Sequence, residues 1–347
     1  MNMEAMATKQ STQQRRANWL ALILLAGAAV LSLVGLGVGS TGFEKIWELW
    51  ITPHTNFNQQ QAALQIIWDI RAPRTLGAFL AGALLGLSGA LAQGLFRNPL
   101  ADPFLLGSAS GASMGVALAL ALFGASPFAT QWVVRMGLTG AAFVGAMAAV
   151  FLTLMLAQGV QHTLRLLLAG VVVGVVLGAL ASLVTIVSPD ILPAMQAFML
   201  GTTGYVGWMA CAVMLVVLLP CVLISWMLSR VLDALSLGEA TALTLGMPLP
   251  TLRKVLIVLM ALACGTAVAQ TGLIAFVGLV SPHLVRSMVK VTHGRMVILS
   301  SLMGGALLML ADIFARSLIA PQELPVGVLT AILGGGYLLW LMNKRAV

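Results

Sequence analysis

RAPRTLGAFLAGALLGLSGALAQGLFRNPLADP, residues 71–103, decides the fold. Two arginines stand at its head, no charged residue occurs from Thr75 to Phe96, and a polar turn with two prolines follows. About 20 apolar residues in helical form reach across the hydrocarbon core of a bilayer, so 74–96 reads as one crossing. Gly82, Gly86 and Gly89 share a face of that helix, where small residues let a neighbouring backbone come close. Pro99 and Pro103 forbid a continuous helix. Asp102 ahead of Pro103 reads as an N-cap followed by a proline at the first helical position, which starts the next crossing at 103.

The rest of the chain repeats this pattern. Of 347 residues, 60% are hydrophobic and 8% charged, with a mean hydropathy of +1.02. A soluble domain carries about 25% charged residues, so this chain has too few to cover a water-facing surface. Ten spans are expected, at 19–40, 74–96, 103–124, 132–157, 164–187, 206–228, 251–271, 273–290, 296–320 and 325–342, giving an all-α polytopic membrane protein. The 273–290 segment is the weakest, being short and holding Pro282. Residues 190–204 are too short and broken to cross, and read as a short or re-entrant helix. Residues 1–18 read as a disordered cytoplasmic tail and 19–347 as one transmembrane domain. The apolar run from Trp19 to Val38 is too long for a signal-peptide core.

Charge placement tests the count. With the N-terminus in the cytoplasm and ten crossings, thirteen basic residues lie inside, among them Arg15, Arg16, Arg97, Arg165, Arg230, Arg253, Lys254, Arg286, Lys290 and Arg295. Five lie outside: Lys45, Arg71, Arg74, Arg135 and Arg316. That bias is the positive-inside rule, and it explains the net charge of +8 without nucleic acid. Trp19, Trp68, Trp132, Trp208, Trp226 and Trp340 fall at span ends, where indoles favour the interface. Cys211, Cys221 and Cys264 lie in apolar runs without metal-ligand spacing and read as buried hydrophobes. His54, His162, His283 and His293 are scattered.

Several motifs have both a packing reading and a functional one. Glycines at 107, 111 and 115 and at 170, 174 and 178 form further smooth faces, for helix packing or, on the fifth span, for a pathway. Arg71 and Arg74 read as a solvated interfacial pair or as a docking point for carboxylates. Asp312 and Arg316 are an i,i+4 pair. In the segment 230–254, Glu239 suits a positive helix end and Gly246 a left-handed cap, so a short helix should lie along the membrane surface, as a connector or a lever. Ser281 reads as the cap of a helix restarted at Pro282, with His283 a structural hydrogen-bonder. None of the five lysines follows a glycine, so no phosphate loop is present. The span centres carry almost no ionisable residues, which argues against an ion-coupled secondary transporter.

Residues 71–113, together with LSLGEATALTLGM (235–247), GLIAFVGLVSPHLVR (272–286) and LADIFARSLIAPQELPVGVLTAILGG (310–335), resemble the FecCD-type permease family of binding-protein-dependent ABC importers for iron-siderophores, haem and cobalamin. The resemblance covers nearly all the chain after its tail. It implies a type II importer permease of ten spans in the bacterial inner membrane, both termini cytoplasmic. The expected partners are a second permease subunit forming a homodimer, two ATP-binding-cassette ATPase subunits and a periplasmic substrate-binding protein. This chain would bind no cofactor, ATP and Mg being held by the ATPase. Arg71, Arg74 and Arg316 match the arginines that dock the binding protein. Asn98 and Leu100 match residues of the family's cytoplasmic gate, and Gln161 and His162 are expected to join them at the inner end. Leu237, Gly238, Glu239, Leu243 and Gly246 match the coupling helix within a cytoplasmic segment at about 230–250. Gly170, Gly174 and Gly178 are expected to line the pathway, on the span that lines it in this family. The cargo implied is a metal chelate, ferric siderophore or haem, with cobalamin the alternative. Gly334-Gly335-Gly336 stands where the family usually has a proline, and a looser segment is expected there.

Overall fold

The computed structural model describes residues 3–39, 42–43, 57–124, 132–157, 163–244 and 246–345. Helix α1 (Met3–Gly37) leads into a small hairpin, β1 (Val38–Gly39) and β2 (Gly42–Phe43), paired antiparallel with Val38 opposite Phe43. Helix α2 (Phe57–Ile66) passes through a π-helical turn, Ile67–Arg71, into α3 (Ala72–Leu95). A 3-10 turn, Pro103–Leu106, precedes α4 (Ser108–Phe123), α5 (Trp132–Leu156) and α6 (Thr163–Val187). Then come α7 (Leu192–Leu200), α8 (Trp208–Met227), α9 (Ser229–Ser236), α10 (Glu239–Thr244), α11 (Leu249–Thr271), α12 (Val277–Met288), α13 (His293–Ser317) and α14 (Val326–Arg345).

Among the described residues, eight helical stretches are long and apolar enough to cross a membrane. The shorter α4, of 16 residues, and α12, of 12, complete the expected ten. At 1.5 Å per residue α12 covers only about 18 Å, and the irregular segment 272–276 leads into it. The short α7 sits where 190–204 was expected not to cross.

Burial separates a core from a periphery. The span 61–95 has 89% of its apolar window buried, 249–271 and 293–317 have 67%, and the other five have 22–28%. So α3, α11 and α13 form the centre, and α1, α5, α6, α8 and α14 offer most of their surface outward. Backbone contact holds the centre together. A Cβ placed at Gly82 would lie 2.2 Å from the Gly304 carbonyl oxygen, and one at Gly86 2.1 Å from that of Ser300. A Cβ at Gly89 would lie 1.7 Å from the Gly278 carbonyl oxygen. Pro282, four residues on, has no N–H to give that carbonyl, and the Gly89 backbone sits against it instead.

Several expectations are corrected. Helix α1 already runs from Met3, where a disordered tail was expected. The second span's helix reaches back to Gln61 through the π turn, so Arg71 and Arg74 lie within it rather than ahead of it. The third span starts at Ser108, because left-handed Gly107 (φ +79°) separates it from the 3-10 turn that Asp102 caps. Gly107 is therefore not on the helical ridge, whereas Gly111 and Gly115 face the Gly145 and Ala141 carbonyls of α5. Ser281 caps nothing: α12 is continuous through Pro282, and the Ser281 hydroxyl donates to the Val277 carbonyl at 2.5 Å. The chain breaks earlier, at Phe276 (φ +69°). The segment 334–336 is helical throughout, and Gly334 makes room for the Phe276 side chain. The three cysteines are buried and free.

Gly89→Ala drives a methyl into the Gly278 carbonyl and must push α12 off α3. The expected loss is about 1–3 kcal/mol, the usual cost of overpacking, read as a lower thermal-unfolding midpoint of the detergent-solubilised chain. Gly27→Ala, with nothing within 4 Å of the new methyl, should leave the midpoint unchanged.

Candidate functional site: the two ends of the bundle

The three arginines singled out in the sequence meet at one end of the bundle, and they are buried: Arg71 is 4%, Arg74 6% and Arg316 1% exposed. Asp312, wholly buried, is the hub. Its Oδ1 takes Arg74 Nε at 3.0 Å and the Thr203 hydroxyl, and its Oδ2 faces Arg316 Nη2 at 2.8 Å. Arg74 Nη1 also donates to both carboxylate oxygens of Glu323, at 3.0 and 2.8 Å. The expected i,i+4 pair of Asp312 and Arg316 is thus part of a larger network.

Helix α1 supplies the rest of the cage. The last carbonyls of a helix have no partner inside it and form its negative end. Arg71 Nη1 donates to the carbonyls of Leu36 and Gly37, each at 3.2 Å, and Arg316 Nη1 to those of Gly35 (3.1 Å) and Val38 (3.2 Å). Breaking a buried ion pair leaves an uncompensated charge, so burial of three guanidiniums requires all these acceptors. Glu323 is the member nearest the outside, its side chain 33% exposed.

The opposite end carries the other predicted residues. Asn98 and Leu100 are exposed in the turn after α3, where Asn98 Oδ1 accepts the Leu100 N–H at 2.9 Å. Asp102 Oδ1 accepts the Phe104 N–H at 2.8 Å. Burial pushes the Asp102 carboxyl up to about 6, against the smaller lowering effect of that bond. Gln161 and His162 lie outside the described residues. Gly170 faces the Leu105 carbonyl, while Gly174 and Gly178 face Ser110, so the smooth face of α6 turns toward the 105–110 turn. Leu168, Val171 and Val175 are on the open face instead.

Residues 229–244 form a small helical hairpin. Gly238 (φ +113°) turns α9 into α10, and Gly246 (φ +74°) ends it in the expected left-handed conformation. Glu239 pairs with buried Arg253 at the start of α11. Asp233 takes the His293 backbone N–H at 3.0 Å and the ring Nδ1 at 2.7 Å, which ties α9 to the first turn of α13. Leu237 (69%) and Leu243 (57%) stand exposed. A rigid hairpin pinned to two core spans, with apolar knobs outward, can pass force from a partner into the core.

A model of the FecCD transport family matches residues 21–344. This chain belongs to that family. Among its FecCD-family relatives, the hemin transport system permease protein HmuU of Yersinia pestis is 36% identical over 327 residues, covering 93% of this chain and 94% of that protein. The vitamin B12 import system permease protein BtuC of Escherichia coli O127:H6 is 38% identical over 334 residues, covering 96% and 97%. A solved structure described as an inward-facing conformation of a metal-chelate type ABC transporter superposes with a TM-score of 0.82 at 29% identity, over 94% of this chain and 99% of that one. The chain is therefore an ABC-importer permease of the inner membrane, a transporter subunit rather than an enzyme. Membership implies ATPase partners and a substrate-binding protein.

Sequence reasoning missed Glu323, Thr203 and Asp233 as members of these sites. The QELP run around Glu323 gives no sign that its partner lies 249 residues away at Arg74. Asp312→Ala should cost about 3–5 kcal/mol, as expected when a buried pair loses one partner. The check is thermal unfolding in detergent, with Asp69→Ala, outside the network, near neutral.

Proposed function

We propose that two copies of this chain form the transmembrane path of an importer that carries a metal chelate, a ferric siderophore or haem, by alternating access. A periplasmic binding protein delivers the chelate, and two ATPase subunits hold ATP and Mg, with no cofactor on the permease. Both termini lie in the cytoplasm in this reading, supported by the distribution of basic residues. The observation that carries it is the contrast between the ends. One gathers buried Arg71, Arg74 and Arg316 with partly exposed Glu323 at its edge, where a partner's carboxylate would take Arg74 by displacing Glu323. The other presents the pinned hairpin with Leu237 and Leu243 outward.

Two cavities among the described residues are each too small for such a cargo. They lie beside Gln270 and beside Tyr337 and measure about 180 Å³ each, against about 300–1,000 Å³ for typical small-molecule sites. The exposed faces of α6 and α14 are the natural walls of a path between two copies. In this assembly Gly170, Gly174 and Gly178 line up behind the path and let α6 shift against the 105–110 turn, while Asn98, Leu100, Gln161 and His162 close its inner end. The cobalamin alternative has the same architecture and is favoured by the likeness to BtuC.

Docking is tested by Arg71→Glu, Arg74→Glu and Arg316→Glu. At least tenfold weaker binding of the cognate binding protein is expected from assembled transporter, and unchanged affinity refutes the docking role. Coupling is tested by Glu239→Lys and Leu243→Asp. Each should abolish binding-protein-stimulated ATP hydrolysis, while normal stimulation removes the hairpin from the mechanism. Uptake into proteoliposomes driven by a proton gradient, without ATPase or binding protein, would overturn the whole reading. Mass spectrometry of the ligand on the cognate binding protein decides between iron chelate, haem and cobalamin.

A further inference from the structure

Helix α1 is attached to the core along a narrow stripe. Ala17, Leu20 and Leu24 are 3%, 4% and 9% exposed and pack against the core, chiefly α13 and α3. The residues between them face away. At 100° per residue, Arg15 and Trp19 stand together on the outward side, with Arg16 on its flank. Arg15 and Arg16 are exposed, and Trp19 is 65% exposed.

Tertiary packing brings two more cations from the far end of the chain to the adjoining turn of α1, whose Gln13 lies on the core-facing side. The Lys290 backbone N–H donates to Gln13 Oε1 at 3.4 Å, and Arg295 Nη1 donates to the Gln14 carbonyl at 3.4 Å. The connection between α12 and α13 therefore lies against α1 one turn before its apolar stretch. Lys290 is exposed and Arg295 half-buried. Among the described residues, no carboxylate forms an ion pair with any of the four cations. Asp233, which bonds the first turn of α13, is taken up by His293. Beyond the cluster, the outward face of α1 is apolar: Leu22 (57%), Ile23 (61%), Val30 (58%) and Leu33 (69%) are exposed.

Four cations without counter-charges, an interfacial indole beside them and an apolar strip beyond match the parts of one ligand class. We infer that Arg15, Arg16, Lys290 and Arg295 bind the phosphodiester headgroup of an anionic phospholipid, whose acyl chains lie along Trp19 and the apolar face of α1. Basic clusters at a membrane boundary attract anionic lipid, and guanidiniums match phosphate oxygens in pairs. A lipid held there bridges α1 and the α12–α13 connection, so it stiffens the joint between a peripheral span and the core. This site lies at the hairpin end, within three residues of His293, but on the side of α1, and it does not rest on the transport reading.

The test titrates the purified full-length chain in nonionic detergent with phosphatidylglycerol and with phosphatidylcholine, counting bound lipids by native mass spectrometry. Phosphatidylglycerol should be retained in preference, and more weakly as salt is raised. Replacing the four cations by glutamine should weaken it by about fivefold per charge removed. Lys290→Gln alone carries the test if the fourfold variant fails to fold. The control Arg165→Gln with Arg230→Gln, exposed cations elsewhere in the chain, should bind as the wild type does. Equal retention of the two lipids overturns the proposal, as does an equal loss in the control. So does a variant that keeps its lipid but loses a partner ATPase, since the surface then belongs to a protein.

Discussion

Direct backbone contact between α3 and its neighbours is the constraint on which the rest of the structure depends. In a bilayer, helices gain nothing by leaving one apolar surrounding for another, so close approach and van der Waals contact drive their association. Gly82 and Gly86 admit the Gly304 and Ser300 carbonyls, and Gly89 admits that of Gly278. No side chain stands between the backbones there. With α3 and α13 thus joined, Arg74 near the head of one meets Asp312 and Arg316 near the end of the other. The ion network is a consequence of the glycine contact.

The network in turn fixes the periphery. Three guanidiniums and two carboxylates cannot balance among themselves, and the free carbonyls at the end of α1 take the surplus. A weakly packed outer span is thereby tied at one end by hydrogen bonds to charged donors, which are stronger than neutral ones. The same arginines hold the fold, and through partly exposed Glu323 the network reaches the surface.

The opposite end follows a different logic. The hairpin of α9 and α10 is not buried by apolar packing alone but pinned, through Asp233 to α13 and through Glu239 to α11. Both pins end on core spans, and the one on α13 passes displacement of the hairpin to the helix that carries Arg316 at its far end. A transporter needs such a mechanical connection between the partner that spends ATP and the partner that delivers cargo.

Much of this was legible in the sequence. Ten crossings follow from apolar length and scarce charge, because the hydrocarbon thickness sets helix length regardless of neighbours. The ridge at Gly82, Gly86 and Gly89, the left-handed Gly246 and the Asp312–Arg316 pair are local, governed by spacing within one helix or turn. Only the tertiary structure decided that Arg71 and Arg74 are buried, because the cover over them is α1 and their carboxylates come from α13 and beyond. Only it showed that the 170–178 glycines face a turn, and that Ser281 bonds back to Val277 within an unbroken helix. The sequence by itself determined that the chain lives in the bilayer and where it crosses. Which of its few charges meet was decided by packing, since a charge in a medium of low dielectric must find its partner wherever the fold brings one.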